Sequence, residues 1–232
     1  MKYDVILFDA DGTLLDFLRS EDEGIREALS DMNIEADDQM IAQYSIINDG
    51  LWKMLERGEI EKDVLVYRRF ELFFERYGID ADAKKMSKAY MNRLSTKGHL
   101  IDGAKELCAA LEGKAKLYIV TNGVAFIQKG RMEVCGIKDY FDKIFISGEV
   151  GVEKPDIRYF ERVAEQIEGF SKNRAVIVGD SLTSDIKGGI NFGIDTCWYN
   201  PRAKTAPDDM KDKITATVRD YGELYDFLTC GE

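Results

Sequence analysis

The sequence predicts an α/β protein: a parallel sheet with helices on both faces, interrupted after its first strand by an all-helical insert. Three observations lead there. Short apolar runs, each stopped by a polar turn, recur along the chain. Helical periodicity fills the intervals between them. Residues 17–96 break that rhythm and contain no convincing strand. Strands alternating with helices imply βαβ units, and therefore a parallel sheet covered on both sides.

The elements follow in order. Residues 4–9 form an apolar run that ends in Asp9-Ala10-Asp11-Gly12-Thr13, a buried strand leading into a turn. The insert reads as helices over 17–32, 37–56, 61–77 and 81–94 with charged outer faces, Gly24, Gly50 and Gly58 being the weak points. It is expected to form a cap (17–96) on a core made of 1–16 and 97–232, with 14–17 and 95–100 as hinges. A helix over 102–111 then precedes a strand over 115–120, which ends in Thr121-Asn122-Gly123. A helix over 124–135 stops at Gly136, and a weaker strand covers 143–147. Pro155 sits where the next helix, 156–167, would start. The strand 174–178 ends in Gly179-Asp180-Ser181, and the helix 182–192 stops at Gly193. The strand 196–199 ends in Asn200-Pro201. The stretch 200–213, with two of the three prolines, is expected to be an exposed loop, and nothing regular is assigned beyond it.

Composition narrows the function. The 232 residues carry 43 Asp and Glu against 32 Lys and Arg, a net charge of −11, and the chain has no basic block, so nucleic acid is excluded as a partner. One histidine, His99, excludes any site built from two, and it is read as a solvated hinge residue with no role. Acid–base or metal chemistry must then fall to carboxylates and lysines. No apolar run approaches about 18 residues, so no membrane span is expected. The N-terminus lacks the features of a signal peptide. Cys108, Cys135, Cys197 and Cys230 are irregularly spaced and read as reduced thiols, which points to the cytoplasm.

Ligands of parallel α/β sheets bind at the carboxyl ends of the strands, and the polar clusters fall there. Asp9 and Asp11 follow the first strand, Thr121 and Asn122 the second, Lys154 the weaker one, and Asp180 and Asp185 the next. The set suits phosphoryl transfer. One carboxylate can attack phosphorus, while Asp11, two residues on in the turn, can protonate the leaving oxygen and later deprotonate water. Asp9 and Asp180 can hold Mg²⁺, a hard cation that takes one or two carboxylates. Lys154 and Thr121 can hold phosphate oxygens, and Asn122 with the turn amides of 10–12 can form an anion-binding nest. Each cluster alone also has a plainer reading: a strand-ending turn, a helix cap, a surface lysine. A calcium loop starting at Asp9 fails, because Leu14 and Ser20 occupy its glycine and glutamate positions. The four clusters in order, each after a strand, favour the site.

These motifs resemble those of the haloacid dehalogenase superfamily, in its phosphatase branch: Asp9-Ala10-Asp11-Gly12-Thr13, Thr121 with Asn122-Gly123, Lys154-Pro155, and Gly179-Asp180 with Asp185. The resemblance covers essentially the whole chain and implies a Rossmann-like core with a helical cap of the superfamily's first type. It implies Asp9 as nucleophile, Asp11 as general acid and base, and Thr121 and Lys154 as phosphate ligands. It places Mg²⁺ on Asp9, the Asp11 backbone carbonyl and Asp180, with Asp185 supporting directly or through water. Leu51-Trp52, the run Gly148-Glu149-Val150-Gly151-Val152-Glu153 before Lys154, Gly188-Gly189-Ile190-Asn191 and Thr196-Cys197-Trp198 look more closely like the bacterial house-cleaning 5′-nucleotidases, which act on pyrimidine and non-canonical nucleoside monophosphates. That family can carry Glu where this chain has Gly12.

The expected activity is therefore a Mg²⁺-dependent nucleoside 5′-monophosphate phosphatase. The alternative is a phosphatase or mutase of another small ester such as a sugar phosphate. A dehalogenase does not need Asp11, a phosphonoacetaldehyde hydrolase would need a cap lysine such as Lys53, and a phospho-ligand sensor needs none of the reacting groups. In the cap, Asn48 and Trp52 lie one helical turn apart. Trp52 can stack on a base that Asn48 hydrogen-bonds, or the pair can be cap core and helix cap. Trp198 reads as sheet packing.

Overall fold

A computed structural model describes residues 1–229; the expectation for Cys230 falls outside the described residues. Six strands form one parallel sheet in the order β3-β2-β1-β4-β5-β6. These are β1 (Val5–Phe8), β2 (Lys116–Thr121), β3 (Lys143–Ile146), β4 (Ala175–Gly179), β5 (Asp195–Tyr199) and β6 (Ala216–Val218). β1 lies between β2 and β4, its four residues in register with Lys116–Ile119 on one side and Ala175–Val178 on the other. The chain winds outward from β1 in both directions, so a crevice opens at the carboxyl ends of β1, β2 and β4.

Alternation within the strands sorts the two faces. Ile6, Phe8, Leu117, Ile119, Val176 and Val178 point to one side. There they pack on α5 (Ala104–Leu111), the end of α6 (Ala125–Val134) and α11 (Tyr221–Thr229). Val5, Leu7, Tyr118, Val120, Ala175 and Ile177 point to the other, against Tyr159, Phe160 and Val163 of α8 (Ile157–Ala164) and Phe192 of α9 (Lys187–Phe192). Burial on both faces explains why these strands read as unbroken apolar runs.

The insert consists of α1 (Phe17–Asp31), α2 (Asp38–Glu56), α3 (Lys62–Tyr77) and α4 (Ala83–Leu94), with no strand among them. Asp16, Asp37 and Asp82 cap the first, second and fourth, each side chain accepting from a backbone N–H in the first turn. Their shared core gathers Ile25, Tyr44, Phe70, Phe73 and Tyr90, and it takes in Ile127 of α6. The first half of α6 is thus the floor on which the insert sits. No helix among the described residues is long and apolar enough to cross a membrane.

Some expectations need correcting. β6 and α11 form where no regular element is expected, and the loop 200–213 contains the short α10 (Asp208–Lys211). The helix before Gly193 opens with one π-helical turn, Leu182–Ile186. α8 spans Ile157–Ala164, shorter than the expected 156–167, with Asp156 as its N-cap accepting from Arg158 N. His99 is not simply solvated: its Nε2 lies 2.6 Å from Glu23 Oε2, tying the return connection of the insert to α1. Cys108, Cys135 and Cys197 are buried free thiols.

Candidate active site

β1 delivers Asp9 to the crevice, β2 delivers Thr121, and β4 delivers Asp180 through Gly179. The turn after β4 folds back so that Asp185, fully buried, accepts from Ser181 N at 3.1 Å. Two glycines make room. At Gly179 a Cβ would fall 2.3 Å from Asp185 Oδ2, and at Gly12, where φ is +82°, it would fall 2.8 Å from Asp180 Oδ2. Only glycine meets both demands at position 12.

Lys154 reaches the same point from the loop after β3 and is 1% exposed. Its Nζ donates to Asp9 Oδ1 at 2.8 Å, Asp185 Oδ1 at 2.6 Å and Val120 O at 2.7 Å, which uses all three ammonium protons. The surface-lysine reading of this residue therefore fails. Asn122 braces it: the amide oxygen accepts from Lys154 N at 2.9 Å and Nδ2 donates to Lys154 O at 2.8 Å. Thr121 Oγ1 accepts from Gly123 N and from Gln128 Nε2, at 3.0 and 3.1 Å, so its hydroxyl proton is the one it has left to give.

Carboxylate oxygens of Asp9, Asp180 and Asp185 lie within 4.8 Å of one another. Burial, then the neighbouring Asp185, pushes the Asp9 carboxyl well above its ordinary range. The same two causes in the same order push Asp180 up to about 7. Burial works to lower the Lys154 ammonium, but Asp185 and Asp9 outweigh it and raise it. Three acids against one lysine leave the cluster short of positive charge. Oxygen donors at this spacing fit a hard divalent cation.

Asp11 is turned toward α6 instead. Its Oδ1 is paired with Arg131, and its Oδ2 accepts from Gln128 Nε2 at 2.5 Å. Trp198 lies buried in the sheet, as expected, and its Nε1 donates to Asp180 O at 3.0 Å, which seats that turn. Asn48 is brought into the interior of the insert rather than to the acids: Nδ2 donates to Glu21 Oε1 at 2.7 Å and Oδ1 accepts from Arg69 Nη1 at 3.0 Å. Trp52 is half-buried against Leu51, Leu55 and Leu65.

Four residues at the site or its rim escaped the sequence reading. Glu56, at the end of α2, accepts from Thr183 Oγ1 at 2.5 Å and Ser181 Oγ at 3.4 Å, and burial raises its carboxyl. Lys62, at the start of α3, donates to Ser147 Oγ at 2.6 Å and pairs with Glu153 at 3.2 Å. Both bind the insert to the core across the crevice, and nothing in their sequence context marks them. Gln128 and Arg131 did leave a signal, since they occupy inward positions of a helix whose other inward residues are apolar.

A family model described as haloacid dehalogenase-like hydrolase matches residues 3–193. The pyrimidine 5′-nucleotidase PynA of Streptococcus pneumoniae is 39% identical over 98% of this chain and 96% of its own. The pyrimidine 5′-nucleotidase YjjG of Escherichia coli is 36% identical over 98% and 99%. The crystal structure of the HAD-hydrolase YfnB from Bacillus subtilis, bound to magnesium, superposes with a TM-score of 0.93 at 40% identity, covering 99% of this chain and 100% of that one.

Proposed function

The chain belongs to the haloacid dehalogenase-like hydrolases, and on that premise we propose that it is a Mg²⁺-dependent phosphatase of nucleoside 5′-monophosphates. The observation that carries the reading is the convergence of Asp9, Lys154, Asp180 and Asp185 at the carboxyl edge of the sheet, beside the Thr121 hydroxyl. The two nucleotidase relatives support the substrate class, and the magnesium-bound relative supports the ion.

In this reading an Asp9 oxygen attacks phosphorus and the P–O5′ bond breaks. Its electron pair leaves on O5′, which takes a proton from the Asp11 carboxyl and departs as the nucleoside. Water then gives a proton to Asp11 and attacks phosphorus. The Asp9–P bond breaks, inorganic phosphate leaves, and Asp9 is a carboxylate again. Thr121 donates to a phosphate oxygen. Lys154 offsets part of the charge of Asp9 and Asp185, and reaches the phosphate by exchanging one of its present partners. Asp9, Asp180, Asp185 and the Asp11 carbonyl would hold Mg²⁺, which supplies the positive charge the cluster lacks. Trp52 is the cap residue assigned to the base, because the Asn48 amide is already engaged within the cap.

A hydrolysis screen over nucleoside monophosphates and sugar phosphates, with Mg²⁺ and with excess chelator, tests this. Nucleotides are expected to show the highest kcat/KM, and chelator to abolish turnover. A tenfold preference for a sugar phosphate would overturn the substrate class, and undiminished rates in chelator would overturn the metal.

A further inference from the structure

Among the described residues Arg131, on α6, is the largest charged side chain with 0% exposure. Burying a guanidinium is costly unless each of its donors is met. Its Nη1 is paired with Asp11 Oδ1, Nε donates to Lys97 O at 3.0 Å, and Nη2 donates to Ser20 Oγ at 3.4 Å. Gln128, one turn earlier on the same helix, donates from Nε2 to both Asp11 Oδ2 and Thr121 Oγ1. Both oxygens of Asp11 are therefore held by α6, while its side chain stays 27% exposed. The other two Arg131 partners lie beside or on the two chain segments that join insert and core. Ser20 sits on α1 just past the outgoing connection, and Lys97 on the return; the Ser20 hydroxyl itself donates to Asp16 O and Lys97 O, at 2.8 and 3.2 Å.

We propose that Arg131 and Gln128 are positioning residues for the proton transfer: they fix the direction of the Asp11 carboxyl and tie it to the two cap connections. The inference rests on Asp11 being the proton donor to the leaving oxygen. Neither residue meets the substrate. Each acts on the step in which the P–O bond breaks and the departing oxygen takes the Asp11 proton. A misplaced donor matters most where the leaving group is a poor one. An alkoxide needs that proton, whereas 4-nitrophenolate leaves without it.

The test compares kcat/KM, which reports steps up to departure of the leaving group, for a nucleoside 5′-monophosphate and for 4-nitrophenyl phosphate, both with Mg²⁺. Arg131→Lys, Gln128→Ala and Asp11→Asn are each set against wild type. Arg131→Lys and Gln128→Ala are expected to lose at least tenfold on the nucleotide and no more than about threefold on the aryl ester, in the same direction as Asp11→Asn. Equal losses on both esters would reduce the two residues to structural supports and overturn the proposal. If Arg131→Lys does not fold, as judged by circular dichroism, Gln128→Ala decides alone. If wild type hydrolyses neither ester, the phosphatase reading has failed. If Asp11→Asn treats both esters alike, Asp11 is not the donor and the proposal falls with it. If Asp11→Asn is selective while the α6 variants are not, only the present inference is lost.

Discussion

Lys154 decides the charge balance of the crevice, because its ammonium is hydrogen-bonded to both Asp9 and Asp185 in a place closed to water. Lys154→Met would leave those two carboxylates buried without their cation, a change that typically costs about 3–5 kcal/mol. The loss should be greatest in metal-free protein at pH 8 and smaller at pH 5.5, where an acid can take up a proton; thermal unfolding at the two pH values measures this. Asp9→Asn acts in the opposite sense on stability. It removes one of the crowded charges, so the fold should persist with an unchanged or higher Tm at pH 8 while turnover falls at least a thousandfold with Mg²⁺ present. Near-normal turnover in that variant would exclude the covalent route. At Gly12 the constraint is steric. Alanine there needs a strained φ and places its Cβ against Asp180, so Gly12→Ala should lower stability by about 1–3 kcal/mol and weaken Mg²⁺ binding in a calorimetric titration. The motif residues were legible because few polar side chains fit at strand ends in that order. The burial of Lys154 was not, because a lysine before a proline looks like a surface residue until three distant acceptors surround it. Gln128 and Arg131 stood in plain view as polar residues on an apolar helix face, which is itself a sign that something buried must meet them.

At the scale of elements, strands buried on both faces and helices with apolar stripes could be read directly, and most of the sheet and all four cap helices followed. The misses share a cause. β6 is three residues at the sheet edge, too short for a pattern, and it is a strand because β5 pairs with it. α11 buries only Leu224 and Leu228, a stripe that becomes visible when the underside of the sheet needs covering. The contacts between cap and core are likewise invisible in sequence, since Lys62 and Glu56 meet partners 85 and 127 residues away. These two contacts bridge the crevice at the ends of α2 and α3. Replacing both with alanine should favour an open cap. Small-angle scattering would then give a larger radius of gyration without substrate, and KM for a nucleotide would rise about tenfold, equivalent to about 1.4 kcal/mol. A scattering profile identical to wild type would show that the apolar floor of α6, not these polar contacts, sets the cap angle. Trp52, on the same α2, belongs to a different question. Trp52→Ala should raise KM for nucleotides at least fivefold more than for 4-nitrophenyl phosphate, and equal effects would remove it from base recognition.

For the molecule as a whole, a net charge of −11 opposes binding of an anionic phosphate ester, so attraction must be created locally. The acid cluster does not supply it: Asp9 and Asp180 are raised by burial and by Asp185, and Lys154 offsets only part of the excess. Raised carboxyls fix the sign of the pH dependence. A carboxyl that titrates higher in the folded chain than in the unfolded chain binds its proton more tightly when folded. Its favourable contribution is complete below the ordinary carboxylate range and disappears as pH rises through the folded value, which for Asp180 is about 7. Exposed carboxyls that are lowered by an arginine, such as Asp4 and Asp31, act in a separate window, losing their contribution only as pH falls below about 4. Between those limits the buried acids should dominate. The Tm of metal-free protein is therefore expected to fall from pH 5.5 to pH 8, and the increase on adding saturating Mg²⁺ to be larger at pH 8 than at pH 6, because a cation that binds the ionised cluster displaces its protons. Calorimetry in two buffers of different ionisation enthalpy would register that proton release directly. A metal-free Tm that held level or rose across the window, with no protons released on binding, would mean that Asp9 and Asp180 are already ionised in the folded chain and that Lys154 alone suffices to keep them so.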